Sequence, residues 1–415
     1  MRLATSLSAL RSAVDSVLRT SINRHPAVKA AVLRLINGWR RWQSGVAAAK
    51  SGNVHTGHSA QEVAERFVLP SCKRYVVFLL AGSDTVSGGV ISILSIAQES
   101  KKLLEGQDAR VLVCTALGDA PLRQYTMFDN EAELFPFEEF LRVVPAGSSV
   151  LVQVAECEIR HMILSRFDAF RCANVTWSIN ILLQNIKLIP SSADVERMKR
   201  LGPVTATVSH AAYANQGTAA RLGCQVHFLS TLVCPEAYER TTFRDKEKLI
   251  VVSPDAHPLK YAMLQLVAER LPDHEVVEIR NMTYQQYKET ILRAKFSFTF
   301  GEGLDNYFVE TVFSGGIGMA FYNDQFFTPD YRELPGVFSK PGENLNVITG
   351  FMAAVDNAET YDKIAATQRS LLAKKYVRAE YLENIRTFYE RFFPPTDCST
   401  LRSAHPSTIA TSVSK

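Results

Sequence analysis

Short apolar runs alternate with helix-length segments along most of this 415-residue chain. The first run, at 74–80, is followed by a glycine-containing loop, a helix-like segment at about 90–104 and a second apolar run at 109–115. Further strand-like runs lie at 149–155, 174–179, 204–209 and 225–229. Strands that alternate with helices in this way form a parallel sheet covered on both faces. The sequence therefore predicts an N-terminal α/β domain over residues 73–237.

A second series of the same kind follows a charged segment at 238–248. Its strand-like runs lie at 249–253, 275–279, 296–300 and 317–321. This series predicts a second Rossmann-like domain over 246–378, a closing helix over 379–393 and a disordered Ser/Thr-rich tail over 394–415. Two α/β domains joined by a short linker place a cleft between the carboxyl ends of their strands, where ligands bind.

The N-terminal part of the chain differs in charge from the rest. Residues 1–50 contain nine Lys or Arg and one acidic residue, Asp15, although the whole chain has a net charge of only +4. Apolar residues there recur every three or four positions, which predicts a basic amphipathic helical extension over 1–68. We expect residues 1–45 to lie either on an anionic membrane surface or against protein, in this chain or in a second subunit.

The composition and the cysteines bear on the class of protein and its location. Hydrophobic residues make up 47% of the chain and charged residues 21%, as in folded soluble proteins. The seven cysteines form no C-x-x-C pair, which favours reduced thiols in a cytoplasmic protein. With the basic extension, a peripheral position at the inner face of the membrane is the alternative location. The globular part has no basic-aromatic stripe, so we expect no nucleic-acid partner.

One strand-loop-helix segment has the features of a nucleotide-sugar site. The strand-like run at 294–300 leads through a loop to two candidate N-cap residues, Asp305 and Asn306. The first N–H groups of a helix that begins there would face a phosphate. Glu310 lies four residues after Asn306, about one turn into the helix, where its carboxylate can accept hydrogen bonds from two ribose hydroxyls.

The loop itself contains a second carboxylate. Glu302 stands between Gly301 and Gly303, which allow the backbone to bend close to a ligand. From this loop Glu302 can reach the sugar ring of a bound nucleotide sugar. Taken singly, Glu302 is better explained as a solvated loop acid and Glu310 as a carboxylate that stabilises a helix start. Their combination with the strand and the glycines favours a donor site.

Glu302 and Glu310, with seven residues between them, resemble the donor-binding motif of retaining family-4-type glycosyltransferases with the GT-B fold. The likeness extends over most of residues 73–393. Gly88 and Gly89, after the first strand, are similar to the N-domain glycine loop of that family. The resemblance implies an α/β, GT-B-like fold of two Rossmann-type domains that face a cleft, with an N-terminal helical extension.

The resemblance also implies roles for two basic residues. The run at 251–260 is similar to the opening strand of the family's C-terminal domain, so Lys260 is the candidate to neutralise the donor diphosphate. The family's N-domain strand that ends in His has Asn180 at that point here. His210, after the 204–209 run, is the nearest candidate for a catalytic histidine in the cleft, although a capping or structural role is the alternative. Glu302 is the third catalytic candidate.

The implied function is transfer of a hexose-type sugar from a nucleotide diphosphate sugar to a glycan or lipid-linked acceptor. The resemblance implies retention of configuration and a part in polysaccharide or glycoconjugate synthesis. No Asp-x-Asp and no paired histidine spacing occurs, so we expect neither a metal nor another cofactor. The alternatives are a non-catalytic protein that binds a nucleotide sugar or glycan on the same fold, and a sugar-phosphate-processing enzyme such as a phosphorylase or epimerase.

Overall fold

A computed structural model describes residues 72–80, 88–115, 134–231, 233, 235–280, 282, 284–339 and 345–394. The predicted extension at 1–68 and the predicted tail after residue 394 lie outside these residues. The loop that precedes Gly88 lies outside them as well. No helix in the described ranges is both long and apolar enough to cross a membrane.

The first sheet has seven parallel strands in the order β3-β2-β1-β4-β5-β6-β7. Its strands are β1 (Arg74–Leu80), β2 (Ala109–Thr115), β3 (Leu134–Pro136), β4 (Ser149–Ala155), β5 (Thr176–Leu183), β6 (Val204–Val208) and β7 (Gln225–Phe228). The predicted strands at 74–80, 109–115 and 149–155 are confirmed without a shift. The run at 174–179 continues to Leu183, because residues 180–183 also pair with β4 and β6.

The second sheet has five parallel strands in the order β12-β11-β10-β8-β9. These are β8 (Glu247–Val252), β9 (Glu275–Glu278), β10 (Ala294–Thr299), β11 (Ile317–Phe321) and β12 (Val337–Phe338). The four strands predicted for this half of the chain are therefore confirmed. The two-residue strand β12 at the edge was not predicted, since so short a run carries no periodicity.

Helices cover both faces of the sheets. Those around the first sheet are α1 (Gly88–Leu103), α2 (Phe137–Val143), α3 (Ile159–Met162), α4 (Phe167–Cys172), α5 (Ser192–Lys199) and α6 (Gln216–Leu222). Those that follow are α7 (Lys260–Arg270), α8 (Tyr284–Arg293), α9 (Asn306–Phe313), α10 (Asn346–Ala354), α11 (Ala358–Ala373) and α12 (Arg378–Phe392). Strand β1 shows why its run is apolar from Tyr75 onward: Tyr75 and Val77 belong to one core, and Val76 and Phe78 to the core on the opposite face.

The last helix, α12, packs on the first sheet. Tyr381, Ile385 and Phe388 of α12 share a core with Phe78 of β1 and Ile93 of α1. Its polar contacts agree, since the Tyr389 hydroxyl donates to Ser100 Oγ of α1 at 2.8 Å. The chain thus returns from the second sheet to the first, and α12 connects the two domains.

Candidate functional site

The carboxyl ends of the strands in the two sheets face each other across a cleft. Asn185, just after β5, donates a hydrogen bond from Nδ2 to Oε1 of Glu302, just after β10, at 2.6 Å. A Cβ built on Gly88 at the start of α1 would lie 3.6 Å from the amide nitrogen of Asn306, at the start of α9. The structure therefore brings Gly88 near the predicted donor loop, residues 300–305 between β10 and α9. Gly89 is next to it, and its carbonyl accepts a hydrogen bond from Gln184 at 3.0 Å.

The donor loop has the strand-loop-helix form that its sequence predicts. Of the two N-cap candidates it is Asp305 that caps α9, with Oδ1 accepting the N–H of Phe308 at 3.1 Å. Gly303 has φ = +87°, and a Cβ there would overlap the ring of Phe327. A Cβ on Gly301 would lie 2.6 Å from Oδ2 of Asp255. Both glycines are needed because the loop passes so close to its neighbours.

Glu302 is held between the two domains. Its Oε1 accepts from Asn185, and its Oε2 lies 3.9 Å from Nε2 of His210. Burial raises the pKa of Glu302 to about 7, the nearby carboxylates of Asp255 and Glu156 raise it as well, and the Asn185 hydrogen bond opposes them. Near neutral pH the Glu302 side chain can therefore accept or donate a hydrogen bond.

His210 follows β6 and lies beside Glu302, and its predicted catalytic role stays a prediction. Its ring packs edge-on against Tyr213 and Phe326, each with ring centres 5.3 Å away. Burial lowers the pKa of His210 to about 4, so the imidazole is neutral at pH 7. The 3.9 Å contact with Glu302 is for that reason not an ion pair. A neutral histidine here shapes the cleft wall and contributes no positive charge.

Glu310 is on α9 and only 3% of its surface is exposed. Its Oε2 lies 3.0 Å from Nζ of Lys288, on α8. The same ammonium lies 3.6 Å from the centre of the Tyr238 ring, a cation–π contact. Among the described residues, Lys288 is the hydrogen-bond partner of Oε2, which leaves Oε1 for a ligand.

Lys260 is the first residue of α7, and it is 5% exposed. Its Nζ donates to the carbonyl oxygen of Ser253 at 2.6 Å and to that of Asp255 at 3.3 Å. A third partner is the carboxylate of Glu278, 3.2 Å away. Lys260 thus stabilises the loop after β8. Its predicted role in binding a diphosphate stays a prediction.

Sequence reasoning missed the residues that approach the donor loop from the first domain. Asn180, which it placed at a strand end, is fully buried in β5 and donates to Gln153 at 2.6 Å. The strand instead ends at Leu183, and Asn185 lies just after it. Glu156, after β4, accepts the backbone N–H of Asn185 at 3.0 Å, and burial raises its pKa to about 7. The apolar residues 181–183 were the signal that the strand continues.

Within the described residues, no group of three or more His, Cys, Asp or Glu side chains is arranged to hold a metal ion. The expectation that the protein needs no metal or other cofactor stays a prediction.

No family model and no curated protein matches the sequence. The described architecture is similar to that of Alr3699/HepE from Anabaena, in its complexes with UDP-glucose (TM-score 0.51, 10% identity) and with UDP (TM-score 0.50, 9% identity). Each of the two matches covers 76% of this chain and 99% of the Alr3699/HepE chain. The chain has a GT-B-like fold. Sucrose-phosphate synthase from Thermosynechococcus elongatus also matches, with TM-score 0.48, 9% identity, and coverage of 77% of this chain and 99% of that one. The two parallel sheets and the likeness to Alr3699/HepE confirm the fold prediction, two Rossmann-type domains that face a cleft.

Proposed function

We propose that this protein is a glycosyltransferase that moves a hexose-type sugar from a nucleotide diphosphate sugar to a glycan or lipid-linked acceptor. In this proposal the sugar keeps its anomeric configuration, and the product enters a polysaccharide or glycoconjugate. The likeness to a fold that binds UDP-glucose in Alr3699/HepE supports a nucleotide-sugar donor.

The observation that carries the proposal is the placement of Glu302. It follows a central strand of the second sheet, yet it accepts a hydrogen bond from Asn185 of the first domain at 2.6 Å. A carboxylate in that position can hold sugar hydroxyls where an acceptor bound to the first domain can reach the anomeric carbon. Domain closure over the sugar excludes water and so suppresses hydrolysis of the donor.

The remaining parts of the donor have matching partners. Oε1 of Glu310 can accept from a ribose hydroxyl while Oε2 stays paired with Lys288. The N–H groups at the start of α9, which Asp305 caps, are oriented toward the loop where a diphosphate would lie. Glu302 at a pKa of about 7 can exchange a hydrogen bond with a sugar hydroxyl in either direction.

The test is a thermal-shift screen of the full chain against a panel of nucleotide sugars. A donor that binds the folded state raises the transition temperature by mass action. Glu310→Gln should abolish the shift with the fold intact by circular dichroism. Glu289→Gln, an exposed carboxylate on α8, is the matched control and should keep the shift. If no nucleotide sugar shifts the wild-type transition, the proposal is wrong.

A non-catalytic nucleotide-sugar-binding protein is the second candidate. It is favoured by Lys260, whose ammonium already has three oxygen partners, and by the four carboxylates around the loop, Glu156, Asp255, Glu302 and Asp305. Both features weaken the stabilisation of a departing diphosphate. Donor binding without hydrolysis or transfer to any acceptor would select this candidate.

A further inference from the structure

Two lysines beside the candidate donor site are already bound to carboxylates. An ammonium has three N–H donors. Those of Lys260 are matched by the carbonyl oxygens of Ser253 and Asp255 and by the carboxylate of Glu278, all within 3.3 Å. Lys288 is 3.0 Å from the carboxylate of Glu310. Neither can bind a diphosphate without first losing a partner that offsets its charge.

A third lysine reaches the cleft from the first domain. Lys187 follows β5, and its backbone N–H donates to Oδ1 of Asn185 at 2.9 Å, which fixes the direction of the chain. Its ammonium lies 5.5 Å from the centre of the Phe326 ring, across the cleft. Within the described residues that ammonium makes neither a hydrogen bond nor an ion pair, and Lys187 is exposed.

The position of Lys187 is fixed relative to the donor loop. Asn185 links the two, because its Oδ1 accepts the backbone N–H of Lys187 and its Nδ2 donates to the carboxylate of Glu302. Charge effects agree with the geometry. Burial lowers the pKa of His257, in the loop after β8, and the positive charge of Lys187 lowers it further. The ammonium thus lies near Phe326, after β11, and close enough to the loop after β8 for its charge to act on His257.

We propose that Lys187 binds the diphosphate of the donor and stabilises it as it departs, the role that sequence reasoning gave to Lys260. This inference rests on the proposed function. The bond between sugar C1 and the β-phosphate oxygen breaks with its electron pair going to that oxygen. The acceptor oxygen bonds to C1 and passes its proton to the departing phosphate. Lys187 offsets the charge that develops there.

This placement also makes catalysis depend on closure. Lys187 belongs to the first domain and the α9 helix start to the second, so the diphosphate is bound from both sides only when the domains are together.

The test measures binding of nucleoside diphosphates (UDP, GDP and ADP) and of the corresponding nucleosides by calorimetry. For the diphosphate that binds the wild type best, Lys187→Ala should weaken affinity on the order of 10- to 100-fold, as for loss of a hydrogen bond to a charged group. Binding of the nucleoside should change by less than about twofold, and Lys187→Arg should retain most of the diphosphate affinity. Lys363→Ala, an exposed lysine on α11, should match the wild type throughout.

The outcomes separate the inference from the proposal beneath it. If a diphosphate binds the wild type and Lys187→Ala binds it equally well, Lys187 is not the cation and the proposed function stands. Equal weakening of diphosphate and nucleoside would show a general change in the cleft and would also overturn the inference. If no nucleoside diphosphate binds the wild type, both the inference about Lys187 and the proposed function are wrong.

Discussion

The ammonium of Lys288 lies 3.0 Å from Oε2 of Glu310 and 3.6 Å from the centre of the Tyr238 ring. Glu310 is the carboxylate that we assign to the ribose, and its side chain is 4% exposed, whereas that of Lys288 is 29% exposed. A carboxylate so deeply buried needs a charged partner or a proton. Lys288 is that partner, and the aromatic ring holds its charge in place.

Replacing Lys288 should therefore act through Glu310. Lys288→Met leaves a buried carboxylate without a cation, and we expect the free energy of unfolding to fall by about 1–3 kcal/mol at pH 7. Glu310→Gln in the same chain should recover part of the loss, because the uncompensated charge is gone. Urea unfolding of the wild type, both single variants and the double variant measures this coupling. Additive effects of the two changes would show that the pair is not coupled.

The raised pKa of Glu302 predicts how stability depends on pH. Its pKa is about 7 in the folded protein, against 4.5 for an ordinary glutamate, so between these values the folded state binds more protons than the unfolded state. The free energy of unfolding therefore falls as pH rises from about 4.5 to 7, and the loss is complete above pH 7.

Glu302→Gln removes this titration, and the amide oxygen of the glutamine can still accept the hydrogen bond from Asn185. We expect the variant to match the wild type near pH 4.5 and to be more stable by up to about 3 kcal/mol at pH 8. Chemical unfolding at a series of pH values measures the difference. Since burial also raises the pKa of Glu156 to about 7, Glu156→Gln should show the same trend. Its added cost is the loss of one of the two backbone N–H contacts, from Gln184 and Asn185, that the Glu156 carboxylate accepts. A difference between wild type and Glu302→Gln that is constant with pH would contradict the assignment.

The basic N-terminal segment predicts attachment to anionic lipid. Residues 1–50 contain nine basic residues and one acid, and each basic residue near an anionic surface contributes about 1 kcal/mol. We expect the full chain to sediment with vesicles that contain anionic lipid and to dissociate as salt is raised. Deletion of residues 1–45 should abolish sedimentation, and neutral vesicles are the control. If the deletion dissociates an oligomer and does not affect vesicle binding, the role of this segment is a protein contact.

The sequence predicted the sheets well because parallel strands are buried on both faces. The runs at 74–80, 109–115, 149–155 and 317–321 are strands with the predicted bounds, since apolar residues fill most of their positions. β5 was cut short at Asn180, a polar residue that the sheet accommodates by hydrogen bonds to Gln153 and Thr207. That error hid Asn185, and with it the contact to Glu302.

The donor loop was predictable because its parts are contiguous in sequence. The N-cap at Asp305 and the glycines follow from local backbone chemistry. The charge partners were not predictable, because they come from other elements: Lys288 for Glu310 and Glu278 for Lys260. A lone sequence does not show whether a lysine near a phosphate site is free or already paired.

Gly303 and Gly350 form a matched pair for testing the donor loop. Gly303 has φ = +87° and no room for a Cβ beside Phe327, whereas a Cβ on Gly350, within α10, would meet nothing within 4 Å. Gly303→Ala combines left-handed strain with a clash, so we expect a loss of about 2–4 kcal/mol in the free energy of unfolding. Gly350→Ala should raise that free energy by roughly 0.5–1 kcal/mol, because alanine favours the helix interior. Urea unfolding measures both, and a Gly303→Ala variant as stable as the wild type would mean that the loop does not have this conformation.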